Sequence, residues 1–151
     1  MNIRQANRFD LPEVLRMLKD FRNCTPIESS SEYNDEEYFN KLYRHILLGG
    51  GLAFVAEKDD RLVGMIIGIK DLSIWDPNTK LVRELAFYVD QEHRGSSAGY
   101  RLLKEYTRAA QQLVEDDHIN MYTMTTLENS PNIKLDKFGY KRTETIWVGG
   151  V

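Results

Sequence analysis

The chain has a single cysteine, Cys24, so it can form no internal disulfide, and no second cysteine or histidine stands beside it at metal-ligand spacing. That usage fits a reducing compartment. No apolar run is long enough for a signal-peptide core or a membrane span, and the opening Met1-Asn2-Ile3-Arg4 alternates polar with apolar residues. Cytoplasmic residence without a membrane partner is therefore expected. An excess of one charge is also missing. With 20 Lys and Arg against 23 Asp and Glu, the net charge of -3 speaks against a general nucleic-acid binder and against a disordered polyelectrolyte. Internal repeats and low-complexity stretches are absent too. A length of 151 residues that are 42% hydrophobic then reads as one domain over 1–151, large enough for one proper core.

What is present has clear periodicity. Asn2 to Ala6 reads as a strand, and Asp10 as the cap of a helix with Pro12 and Glu13 in its first turn and Leu11, Val14, Leu15, Leu18 and Phe21 on its inner face. After a polar loop from Asn23 to Asn34, Asp35 opens a second helix carrying Tyr38, Leu42 and Ile46, which Gly49, Gly50 and Gly51 end. Leu52–Glu57 and Leu62–Ile69 form an antiparallel hairpin across Lys58-Asp59-Asp60-Arg61. Asp76-Pro77-Asn78 makes a turn before the strand Leu81–Val89. A long helix follows from Ser97 to Val114, with Gly99, Leu102, Leu103, Tyr106, Ala110 and Leu113 facing inward. His118–Thr125 returns as a strand, Pro131–Lys137 as a short helix ended by Gly139, and Tyr140–Val148 as a last strand. This order predicts a mixed sheet whose crossover helix joins two neighbouring parallel strands, with a ligand site where those strands part.

The segment richest in chemistry is Arg94-Gly95-Ser96-Ser97-Ala98-Gly99, between the strand ending at Val89 and the long helix. Amides at a helix start have no partner inside the helix and sit at the positive end of its dipole, so they can bind a pyrophosphate. Small side chains let an anion approach the backbone. By itself the pattern also suits an ordinary serine-capped helix start, so the flanking residues decide.

With those flanks, the segment resembles that of the GNAT family, the Gcn5-related N-acetyltransferases, which reads Arg-Gly-x-Gly-x-Gly/Ala after a hydrophobic strand ending in valine. Arg94, Gly95 and Gly99 match; Ser97 stands where the family usually has glycine. Asn129 and Lys137-Phe138-Gly139-Tyr140 resemble the family's closing segment, and the spelling Glu92-His93-Arg94-Gly95-Ser96-Ser97-Ala98-Gly99 is similar to short members encoded by tailed phages. The resemblance implies an α/β (α+β) GNAT fold, a mostly antiparallel mixed sheet of six to seven strands flanked by about four helices. It further implies acetyl transfer from acetyl-CoA to a primary amine by direct attack in a ternary complex, with no metal. Phe87, Tyr88 and Val89 would offer backbone hydrogen bonds to the pantetheine arm, the turn Arg94, Gly95, Ser96, Ser97, Ala98 and Gly99 would hold the pyrophosphate, and Asn129 would join the cofactor site.

A base must take the proton of an ammonium whose pKa is ~10.4, and the departing thiolate is helped by a donor. Glu84, inside an otherwise apolar strand, is the candidate base, because partial burial would raise its pKa; the alternative is a surface carboxylate paired with Arg83, Arg101 or a lysine. The family's usual tyrosine donor position holds Leu135 here, leaving Tyr140, Tyr122, Tyr88 or water. Glu28, Glu32, Asp35, Glu36 and Glu37 would attract a cationic small-molecule or peptide acceptor, or would simply stabilise a helix N-terminus. Trp75 would line the acceptor cleft or cover the core. His45, His93 and His118 lack partners for a triad, and Cys24 lacks a base. Two other readings stay open: a GNAT-fold binding or regulatory protein without turnover, and acylation of a macromolecule. A homodimer also stays open.

Overall fold

The computed structural model describes residues 1–26 and 35–150. Five strands form one sheet in the order β1 (Asn2–Gln5), β2 (Gly51–Lys58), β3 (Arg61–Leu72), β4 (Lys80–Val89) and β5 (Met121–Thr123). The first four are antiparallel to their neighbours, and β5 runs parallel to β4. Helices α1 (Leu11–Asn23) and α2 (Glu36–His45) cover one face; α3 (Ala98–Glu115) covers the other. The β2–β3 connection is short because Asp59 and Asp60 both adopt positive φ, the two-residue turn whose twist matches that of a hairpin.

The sheet splits the core in two. Val14, Met17, Tyr43 and Ile46 pack with Val55, Met65, Ile67 and Ala86 on the α1/α2 face. Leu102, Leu103, Tyr106 and Ala98 pack with Phe54, Ile66 and Val82 on the α3 face. None of the helices among the described residues is long and apolar enough to cross a membrane.

Several expectations need correction. Among the described residues five strands and three α-helices stand where six to seven and about four were expected. The predicted strand Tyr140–Val148 does not form: Ile146, Trp147 and Val148 are consecutive rather than alternating, so no strand could turn all three to one face, and residues 141–150 are exposed throughout. The last sheet strand is also shorter than His118–Thr125. The amides of His118 and Ile119 bond to the Leu113 carbonyl at the end of α3, and the Thr125 amide goes to the Glu84 carboxylate, which leaves Met121–Thr123 for the sheet. The segment Pro131–Lys137 shortens to one 3-10 turn, Leu135–Phe138, closed by Gly139 at φ 86°.

Asp10 precedes α1 as expected but does not cap it, because its carboxylate is taken by Arg4 at 2.8 Å and by the Asn7 amide. Asp35 does cap α2, accepting from the Tyr38 amide at 2.9 Å. Tyr38 points outward, and Tyr43 takes the buried position. Trp75 neither covers the core nor is sheltered: it is 88% exposed in the β3–β4 connection.

Candidate active site

Strand β4 positions the site through two irregularities. Ile67 faces Ala86 and Gly68 faces Glu84, so Leu85 is an extra residue, a bulge that turns the strand's facing partway along. Pairing with β5 stops at Arg83 opposite Thr123. Beyond that point this edge of β4, Glu84 to Val89, has no strand beside it among the described residues and faces a groove of about 1430 Å³.

Glu84 lies at the fork and is only 6% exposed. Burial pushes its carboxyl up to about 7, and the Thr125 amide, donating to Oε2 at 3.1 Å, draws it partly back. Its expected competitors are engaged elsewhere: Arg83 bonds to Asp71 and Arg101 to the Met1 carbonyl. Among the described residues, then, Glu84 is a largely desolvated carboxyl with no cationic partner.

The turn at the other end is open. Gly95 has φ 87°, a conformation that side chains disfavour, which accounts for glycine after Arg94. The amides of Arg94, Ser96 and Ala98 are occupied, by the Gln91 and His93 carbonyls and by Ser96 Oγ. Those of Gly95, Ser97, Gly99 and Tyr100 have no intramolecular bond among the described residues. The expected six-residue cradle thus narrows to alternate positions. Ala98 is fully buried beneath it, and Ser97 starts α3 without a side-chain cap, the serine that bonds the first helical amide being Ser96.

Phe87, Tyr88 and Val89 all border the groove. The Val89 carbonyl already accepts from Arg94 Nε at 3.0 Å, while the Arg94 guanidinium lies 5.4 Å from the Tyr88 ring centre. Asn129 also lines the groove, its Nδ2 donating to the Cys24 carbonyl at 2.7 Å. Arg83, Arg94, Lys104, Lys134 and Lys137 line it too, against Glu84 as the single carboxylate among the described residues. A chain with net negative charge therefore presents a basic groove, suited to an anionic ligand. The lysines and Cys24, at the end of α1, escaped the sequence reading because they converge only in space.

Of the three tyrosines expected as donors, Tyr88 borders the groove, and burial holds its hydroxyl above the ordinary range; Tyr100 borders it as well. Tyr140 is hydrogen-bonded to Thr107 at 3.0 Å and packs edge-on against Tyr122. Leu135 packs into the α3-side core. Three of the acidic residues near α2 do not line the groove: Asp35 caps the helix, Glu36 pairs with Lys19 and Glu37 with Lys41. Glu28 and Glu32 lie outside the described residues.

The family model for the acetyltransferase (GNAT) family matches residues 14–140. The chain belongs to the GNAT acetyltransferases. Among curated proteins none matches its sequence. Solved structures share the GNAT fold at low identity. An acetyltransferase from Trypanosoma brucei is 14% identical with a TM-score of 0.69, the match covering 99% of each chain. An aminoglycoside acetyltransferase from an uncultured soil metagenomic sample is 15% identical, with a TM-score of 0.66 and coverage of 99% of this chain and 95% of that one. A ribosomal-protein-alanine N-acetyltransferase from Brucella melitensis is 23% identical, with a TM-score of 0.61 over 74% of this chain and 68% of that one. The last two carry very different acceptors in their names, so this GNAT fold leaves the acceptor open.

Proposed function

We propose that this GNAT chain transfers an acetyl group from acetyl-CoA to a primary amine by direct attack, both substrates being bound together, with Glu84 as the base. The observation that carries the reading is the fork between β4 and β5. It places an unpaired strand edge, a basic groove and a buried carboxyl side by side. The residues present suit acetyl-CoA as substrate: the free amides of Gly95, Ser97 and Gly99 would take its diphosphate, with Arg94, Lys104, Lys134 and Lys137 nearby as countercharges. The edge of Phe87 to Val89, with Asn129 across from it, would hold the arm.

Acetyl-CoA supplies a thioester carbonyl. Glu84 takes one proton from the ammonium, directly or through water, and the freed nitrogen lone pair forms the N–C bond while the C–S bond breaks. The second proton shed by nitrogen ends on the thiolate, and the first leaves Glu84 for solvent. A carboxyl near 7 suits this exchange at neutral pH, being ionised often enough to accept and acidic enough to release. Tyr88, still protonated, is the candidate relay for that second proton, giving its own to sulfur and regaining the one from nitrogen.

Thiol release from acetyl-CoA over an amine panel tests the proposal. Turnover with at least one amine that collapses in Glu84→Gln is expected. A thermal shift with acetyl-CoA but no thiol release with any amine would favour the binding-protein reading, which the leucine at position 135 also suggests.

A further inference from the structure

The groove and its carboxyl leave one buried group unexplained. Tyr106, in the middle of α3, is fully buried, and its hydroxyl has no hydrogen-bond partner among the described residues. A buried unpaired hydroxyl is costly, so its location needs a cause. The hydroxyl sits where the neighbouring strand leaves room: a Cβ added at Gly68 would come within 2.1 Å of it. Gly68 is the register partner of Glu84. Side chains of directly opposed residues project from the same face with Cβ atoms about 4.5–5.5 Å apart. The Tyr106 hydroxyl therefore fills the side-chain position beside Glu84, within the span that a rotation of the carboxyl can close. Glu84, for its part, receives a single hydrogen bond among the described residues, at Oε2 from Thr125, although an ionised carboxylate accepts several.

We propose that Tyr106 is a positioning residue for Glu84, its hydroxyl donating to the carboxylate when that group ionises and holding it toward the fork. The glycine at position 68 is what admits the hydroxyl. Among the described residues the Thr125 amide beyond β5 acts on Glu84, and the Glu84 charge in turn acts on Tyr106 of α3 and Tyr140 of the closing segment. Tyr140 already shares a hydrogen bond with Thr107, in which either hydroxyl can donate, whereas the Tyr106 hydroxyl has no other partner among the described residues. Burial keeps the Tyr106 proton in place at neutral pH, so it donates and does not titrate. This inference rests on the reading of Glu84 as base for its catalytic consequence, although the contact itself can be read without turnover.

The test is a carboxyl 13C NMR titration of the ligand-free chain labelled at glutamate, with the Glu84 signal assigned from Glu84→Gln, in wild type and Tyr106→Phe. A donor stabilises the charged form, so its removal should move the Glu84 midpoint upward by about half a unit or more, roughly a 3-fold change in ionisation. The acid limb of kcat/KM should move by the same amount. Unfolding profiles of the two proteins confirm that Phe is accommodated. A Glu84 midpoint identical in both overturns the inference. A shifted midpoint with an unmoved acid limb upholds the contact and removes Glu84 as base, so the two readings fail separately.

Discussion

The two ends of the groove differ in how they treat water. At the α3 end, Arg94, Gly95, Ser96 and Ser97 are exposed, and several backbone amides await a partner. At the fork, Glu84 is buried beneath α3 and its carboxyl is held near neutrality. The open end suits a hydrated diphosphate that must arrive and leave; the dry end suits a proton whose affinity has to be set. Exposure supplies ligand access, and burial supplies chemistry, within one strand-turn-helix unit.

The dry end can be broken most severely. Glu84→Gln should lower kcat by about 10²- to 10⁴-fold, the usual worth of a positioned base, and should abolish an acid limb near pH 7. A steady-state pH profile reads both. The same substitution reports on stability with a defined sign. The folded chain holds the Glu84 proton to about 7, whereas the ordinary value is 4.5, so the folded state binds more protons between those limits. The contribution of Glu84 to stability is therefore fullest below pH 4.5 and is lost as pH rises through 7, by about 3 kcal/mol. Urea unfolding should show Glu84→Gln without that fall.

At the wet end, Gly99 offers a graded test. A methyl there meets only Phe87 and Val89 at 3.7 Å, ordinary contact, so Gly99→Ala should fold normally. Gly99→Leu extends into the groove and should weaken acetyl-CoA binding by about 10-fold or more, roughly 1.4 kcal/mol, by calorimetry. Smaller still, Cys24 is exposed and lines the same groove, so CoA lacking its thiol should slow alkylation of Cys24 a few-fold in a labelling time course. Equal labelling rates would detach α1 from the site.

The difference between the ends also governs what the sequence could disclose. The open turn is local: glycine after Arg94, small residues and a following helix lie within six positions, and backbone geometry follows from them directly. Strands β2, β3 and β4 were equally legible, because their apolar runs are bounded by turn residues such as Asp59 and Asp60. Glu84 was legible as a charge in an apolar strand. Its isolation was not, since it depends on β5 stopping at Thr123 and on where Arg83 and Arg101 find partners. The basic lining escaped for the same reason, being assembled from β4, α3 and the closing segment. The Tyr140–Val148 expectation failed because β propensity was read without the alternation that a one-sided strand needs. Composition alone does not make a strand.

A crystal structure with CoA bound tests the account most directly. The diphosphate should lie at hydrogen-bond distance, about 3 Å, from the amides of Gly95, Ser97 and Gly99, with the arm running along the unpaired edge of β4 toward Glu84. A diphosphate seated elsewhere, with those three amides turned to one another or to water, would contradict it.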